Sequence, residues 1–498
     1  MSRRNHWLIL GILFLALILR LVFIQSRGIW YDDAFSFFLS EKSLPAIVKG
    51  TAADTMPPLY YFLLHFWMII SQRLWWLRSL NILLSLGIVI IEYAWISSLM
   101  GPSSGRWAAF LTAISSFQIY YAQELRMYTL LVFCQLCYIR FFWYIWRTED
   151  KQSKGYYPAW LGVLFFGTLA MYSHNLAIFG LVVPDVFLIV KRKWKFLSKL
   201  LVAQLIIGVL SLPWLGLVPG QIAKIQRAFW TPQPGIVQII QALIEFTGSL
   251  PLPYLLMGIV LLLSVEILAI LILESTKEKI LKDEVIFLAI VTLIPPVLLL
   301  IVSYMMRPVF VPRGFYISLL AYSGLAGWVI SKSWLRGIGT FVAGSFVLAA
   351  LVSLPYQMTF TEFPRSPYQK GMEYIASVIQ PGDTIVHDNK LSFFPSLYYS
   401  RFIPVSLPQV FVADTPGSHN DTLAPGSQEV MQLFPKPSIQ TSVDGQKRVY
   451  FIVFSQAIQE YQQLGEPDHP SLAWLESQFH LVKREVFNDL EIYQFERK

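Results

Sequence analysis

The chain has 498 residues, 55% of them hydrophobic and only 14% charged, with a formal net charge of +8. Soluble domains carry about a quarter of their residues as charges, so this composition excludes an ordinary soluble enzyme and points to an integral membrane protein. The positive balance does not indicate nucleic acid, because much of it sits in short loops (Arg147 to Lys154, Lys191 to Lys195, Lys332 to Arg336), the pattern that orients a membrane protein.

In chain order, Arg3 and Arg4 precede an apolar core, Trp7 to Leu19, which Leu21 to Ile24 extend without a small-x-small cleavage site. It reads as a retained anchor with its N-terminus in the cytoplasm. The stretch Trp30-Tyr31-Asp32-Asp33-Ala34-Phe35-Ser36 then places two adjacent carboxylates just outside. Asp54 precedes Pro57-Pro58-Leu59-Tyr60-Tyr61, where the prolines suit the first turn of a helix; 57–70 reads either as a further span or as a helix lying on the surface.

Uncharged runs follow at Ser79 to Ile91, Trp107 to Gln123, Leu200 to Gly220, Val285 to Met306, Gly314 to Ser331 and Gly337 to Thr361. They approach the roughly 20 apolar residues a helix needs to cross the hydrocarbon, and none alternates as a barrel strand would. About eleven spans are expected, with two short ones flanking His174. The Cys134-x-x-Cys137 spacing lies inside an apolar run and reads as packing, not redox chemistry.

After Pro355 the composition turns to Pro, Asp, Gln and Ser, with strand-like runs at Thr384 to His387 and Arg448 to Phe454 and a hairpin around Asn488-Asp489. The expected organisation is a multi-pass membrane domain over 1–355, whose first outer loop (about 25–75) carries the acidic motif, and a soluble extracytoplasmic α/β domain over 356–498. Specificity for whatever the protein binds is expected in this outer domain, in the loop Gln221 to Pro253 with its Trp230, or in a partner.

Assigning the basic loops to the cytoplasm puts the polar groups on one outer side. These are Asp32 and Asp33; Asp54; Gln123-Glu124-Leu125-Arg126-Met127-Tyr128 at a junction of two spans; His174; and Arg307 and Arg313, which bracket Pro308 to Pro312. Each has a plainer reading: a helix-capping acid, a structural ion pair, a packed histidine or a snorkelling arginine. No Walker loop and no G-x-G-x-x-G after a strand is present, so nucleotide chemistry lacks its motifs. A lipid-phosphate substrate suits the set, with an arginine on the phosphate and a carboxylate activating a hydroxyl.

An acidic pair after the first helix, an acid before P-P-L-Y-Y with Leu64-His65 and Trp67 following, Q-E-x-R-x-Y at the second outer junction and an Arg near the start of a late helix together resemble the GT-C membrane glycosyltransferases. The closest branch is the protein mannosyltransferase-like bacterial group that includes the lipid A aminoarabinose and rhizobial lipopolysaccharide sugar transferases, over about residues 7 to 330. The resemblance implies a GT-C fold and an inverting transfer from a polyprenyl-phosphate sugar to a hydroxyl of a glycan, lipid or protein, at the outer face of the inner membrane. It implies that Asp32, with Asp33, is the catalytic acid pair and that Arg126, Arg313 and Arg307, with Tyr128 and Tyr60, meet the donor phosphate and substrate. Asp54, Glu124 and His174 become candidate ligands for a divalent cation. Two positions depart from the pattern: the usual Asp-Glu pair is Asp32-Asp33, and Met56 stands where relatives commonly carry His.

Three other readings share some of these features. A lipid-linked glycan flippase would also need many helices and arginines, but favours ionisable groups at the membrane midplane and internal repeats. A glycan polymerase or ligase takes similar lipid-linked sugars, and an inactive relative could serve as a membrane scaffold through its soluble domain.

Overall fold

The computed structural model describes residues 3–149, 155–227, 231, 233–277, 283–306, 308–332, 336–416, 418 and 421–498. Packing separates two compact units, one formed by Met1–Val22 with Asp54–Gln357, the other by Phe23–Ala53 with Met358–Lys498.

The regular elements described in the first unit are all helices. Among the described residues six helices are each long and apolar enough to cross a membrane: Leu74–Met100, Tyr128–Thr148, Trp194–Leu215, Asp283–Met305, Pro312–Ser331 and Gly337–Thr359. Shorter apolar helices accompany them, among them Asn5–Leu21 and Ala177–Val190. The helix at 57–70 runs only over Leu59–Trp67, nine residues. At 1.5 Å per residue that is about 13 Å, too short to be a span. Cys134 and Cys137 are buried free thiols, as a packing role requires.

One break in this unit has a visible compensation. The helix Pro102–Ile114 stops at Ser115, whose backbone is extended, and Ser116–Ala122 begins anew. Carbonyls released by such a break must find donors, because no water is at hand in hydrocarbon. Arg20, fully buried, supplies them: its guanidinium donates to Ala113 O (3.0 Å), Thr112 O (3.4 Å) and Ser85 Oγ (2.8 Å).

The second unit is built on a five-stranded sheet in the order β2-β1-β3-β5-β4. Its strands are β1 (Thr384–His387), β2 (Gln409–Phe411), β3 (Arg448–Phe454), β4 (Phe479–Phe487) and β5 (Leu490–Arg497). β1 runs parallel to β2 and β3, whereas β3, β5 and β4 pair antiparallel. The two apolar runs seen in the sequence are β1 and β3, and the hairpin turns at Asn488-Asp489, with Asn488 at positive φ (58°). Val386, Phe451, Val453, Leu475 and Phe495 form its core.

The boundary drawn from composition at 355 left residues 25–53 with the membrane part, but in packing they join the sheet-bearing unit. The reason is aromatic. Helix Tyr31–Ser40 buries nine of its ten residues, far more apolar surface than a short helix can hide alone. Its rings meet those of helix Lys390–Ser400: Tyr31 on Phe394 (centroids 5.3 Å), Phe37 on Tyr398 (5.0 Å) and Phe38 on Phe394 (5.8 Å). The next helix, Leu44–Ala53, lies against Pro425–Met431, where Ser427 Oγ donates to Gly50 O (3.1 Å). A Cβ on Gly50 would come within 2.5 Å of a Leu39 methyl and 3.3 Å of a Val430 methyl, so any larger residue there would push these side chains aside.

Beneath this layer Asp33 and Arg365 form an ion pair (Oδ2 to Nη1, 3.1 Å), with side chains 0% and 2% exposed. Arg365→Met is expected to destabilise the protein by about 3–5 kcal/mol, since it strands a buried carboxylate. Adding Asp33→Leu should recover most of the loss, as thermal unfolding of the purified single and double variants would measure.

Candidate functional site

The polar residues of the membrane unit gather around one turn. Between helices Ser116–Ala122 and Tyr128–Thr148, residues Gln123 to Met127 are all buried. A buried turn must have its backbone satisfied, and Asn81 does much of this. Its side chain, 0% exposed, donates from Nδ2 to Arg126 O (3.0 Å), to Glu124 O and to the Tyr60 hydroxyl (3.2 Å). Gln123 Nε2 in turn donates to Arg20 O (2.9 Å). Three segments distant in sequence are thus tied to the turn that carries Glu124 and Arg126.

A second turn, between helices Tyr156–Ser173 and Ala177–Leu181, carries His174 and Asn175. Asn175 Nδ2 donates to Thr55 O (2.8 Å), while Trp214 Nε1 donates to Asn175 Oδ1 (2.8 Å). The loop of Asp54, Met56 and Pro57 is thereby moored beside His174. The third contributor is the turn Pro312–Phe315, which carries Arg313. Gly314 lets it come close, since a Cβ there would lie 2.7 Å from Leu299 and 3.1 Å from Leu176.

These turns set a specific electrostatic environment. The Arg313 guanidinium lies over the Tyr128 ring (5.2 Å), whose other neighbours are His174 (centroids 5.7 Å) and Tyr121 (5.4 Å). His174, 6% exposed, accepts from Leu176 N at Nδ1 (3.0 Å), so its ring proton sits on Nε2. Burial, and then the charges of Arg126 and Arg313, push its pKa down to about 3. The result is two guanidiniums, a neutral imidazole N–H and a tyrosine-rich wall, a donor set made for an anion.

Among the described residues no three of His, Cys, Asp and Glu form a group that could hold a metal ion. Asp54, Glu124 and His174 therefore do not come together as a ligand trio. The surroundings of His174 also fit a cation poorly, with one ring nitrogen already accepting a backbone N–H and two guanidiniums nearby. Arg307 and Trp230 lie outside the described residues.

The two acids after the first helix have different surroundings. Both stand in the first turn of Tyr31–Ser40, where the helix dipole favours negative charge. Asp33 is sealed against Arg365, whereas Asp32 is half-buried. The shorter second acid is thus long enough for its partner, and Asp32 is the one of the pair that reaches the surface. Asn81, Arg20 and Asn175 were not singled out from the sequence; the signal was a lone polar side chain within or at the end of an apolar run.

No family model matches the sequence, and no curated protein does. Solved structures do share its fold. ArnT from Cupriavidus metallidurans in the apo state aligns with a TM-score of 0.64 at 13% identity, over 99% of this chain and 98% of that one. ArnT bound to undecaprenyl phosphate gives 0.66 at 13% identity, over 98% of each chain. The oligosaccharyltransferase AglB from Archaeoglobus fulgidus, in complex with an inhibitory peptide and a dolichol-phosphate, gives 0.55 at 10% identity over 99% of this chain and 74% of that one. The chain therefore shares the fold of these solved structures over nearly its whole length.

Two outcomes test this site. Asn81→Ala leaves the carbonyls of Glu124 and Arg126 without their donor and is expected to lower stability by about 1–3 kcal/mol, read by thermal unfolding of purified protein. His174, with its folded pKa depressed to about 3 from 6.5, favours folding above pH 6.5, and that contribution is lost as pH falls towards 3. A pH series of unfolding midpoints should show this loss, and His174→Gln should flatten it.

Proposed function

We propose that the protein is an inverting glycosyltransferase that moves a sugar from a polyprenyl-phosphate donor to a hydroxyl of a glycan, lipid or protein acceptor. The observation that carries this reading is the convergence of Arg126, Arg313 and a neutral His174 on one tyrosine-lined site in the membrane unit. Such a donor set suits the phosphate of a lipid whose chain lies among apolar helices. Fold neighbours that hold undecaprenyl phosphate and dolichol-phosphate support the same substrate class.

The chemistry follows from the substrate. The acceptor hydroxyl attacks the anomeric carbon as the bond from that carbon to the phosphate oxygen breaks, so configuration inverts in a single displacement. The bond electrons leave with the polyprenyl phosphate, whose charge grows during the step. Arg126 and Arg313 stabilise that growing charge, and His174 Nε2–H and Tyr128 help to orient the phosphate. The resemblance of its motif assigns the general base, which takes the hydroxyl proton, to Asp32. Asp33, held by Arg365, positions the helix turn that presents Asp32. Glu124 and Tyr60 hold the Arg126 turn through Asn81.

In this reading no step runs through a metal ion, and chelation with EDTA is expected to leave transfer unchanged. The basic loops favour a cytoplasmic N-terminus and reaction at the outer face of the cell membrane. A reporter fused after Thr361 is then active only outside the cytoplasm.

The deciding experiment uses purified protein in lipid vesicles with a panel of labelled polyprenyl-phosphate sugars and a membrane glycolipid extract. Wild type should move label into a new product, and Asp32→Asn should lower the turnover by about 10²–10⁴-fold. Full activity of the folded Asp32→Asn protein would remove Asp32 from the general-base role.

A further inference from the structure

The sheet-bearing unit contains an open groove of about 490 Å³, within the range of roughly 300–1,000 Å³ common for small-molecule sites. One wall is the helix Ser455–Gln463, which follows directly on β3. Gln456, Gln459, Glu460 and Gln463 stand at i, i+3, i+4 and i+7, so they share one helix face, and all four are exposed. Glu362 and Phe363 line the groove as well, and Asp489 at the β4–β5 turn completes it.

The lining is selective in its chemistry. It contains no lysine or arginine, which disfavours phosphate and other anions. One of its acids is already engaged, because Gln456 Nε2 donates to Glu460 Oε1 (2.9 Å). What remains is a row of planar amides and carboxyls, each offering paired donors or acceptors at the spacing of neighbouring hydroxyls. Phe363 adds an aromatic surface, itself braced edge-on by Trp30 (centroids 5.3 Å) and Phe454 (5.1 Å). Asp489 receives Ser366 Oγ at Oδ1 (2.7 Å), and the backbone N–H groups of Phe363 and of Asp489 itself also serve its carboxylate. Burial also holds this carboxyl above its usual range.

We infer that this groove binds a neutral or amino-bearing glycan chain, with Gln459 and Gln463 reading hydroxyls and Phe363 packing against a sugar face. Its use as an acceptor-docking site rests on the glycosyltransferase reading; the binding itself does not. Being open, it suits a segment of a longer chain, not an enclosed monosaccharide.

The test uses the full-length protein in lipid nanodiscs and four fluorescent probes: mannotetraose, a glucosamine tetramer, a tetragalacturonate and tetralysine. Mannotetraose or the glucosamine tetramer should bind, and the exposed double variant Gln459→Ala/Gln463→Ala should weaken that binding about tenfold, while its melting temperature stays unchanged. The proposal is overturned if neither sugar binds, if their binding is indifferent to the double variant, or if tetragalacturonate or tetralysine takes the groove in their place. Sugar transfer is assayed on the same nanodiscs. Transfer without groove binding defeats the groove alone; variant-sensitive binding in a protein that transfers nothing upholds the groove and defeats the glycosyltransferase reading.

Discussion

The placement of the acidic helix depends on one buried ion pair. Asp33 and Arg365 are taken almost wholly out of water, which costs several kcal/mol per ion before their mutual attraction is counted. Such a pair is a poor source of net stability but a demanding source of geometry, because displacement weakens the attraction that offsets the desolvation of both charges. The aromatic layer of Tyr31, Phe37 and Phe38 on helix Lys390–Ser400 supplies apolar burial around it. The pair then fixes where the first turn of Tyr31–Ser40 starts, and with it the position of Asp32.

The membrane unit solves a related problem with hydrogen bonds. Its candidate site is made of turns, and turns at helix ends expose carbonyls and amides in a place with little water to receive them. Asn81, Arg20, Gln123 and Asn175 each spend side-chain donors on the backbone of another segment. The arginines and His174 are thus held on turns whose backbone is tied by side-chain donors from other segments. Burial and the two guanidiniums keep His174 neutral, so it adds no further positive charge to the site.

Much of this was legible in the sequence where the signal is local. Apolar runs located the long spans, the strands β1 and β3 and the Asn488-Asp489 hairpin were read directly, and the motifs of residues 32 to 128 indicated the GT-C fold. The rest was not legible because it depends on pairings far apart in the chain. Nothing near Asp33 announces Arg365, more than three hundred residues later. Nothing in Tyr31 to Ser40 says whether its aromatic face meets lipid, membrane helices or a soluble sheet. Asn81 was hidden differently, since one asparagine in a long apolar run does not disturb its hydropathy, although its three hydrogen bonds hold the Arg126 turn. The span at 57–70 stayed ambiguous because composition cannot report where a helix stops.

The sheet-bearing unit is assembled from the start and the end of the chain, Phe23–Ala53 and Met358–Lys498. During synthesis the first piece emerges about 300 residues ahead of the second, a delay of tens of seconds at ordinary elongation rates. Through that interval Tyr31, Phe37 and Phe38 lack the rings of Phe394 and Tyr398 that later pack on them. Maturation of the acid-bearing helix therefore waits on completion of the polypeptide, and a ribosome that stalls after the last span leaves a bare aromatic face. Such a face is a mark by which chaperones and proteases can distinguish unfinished copies from finished ones.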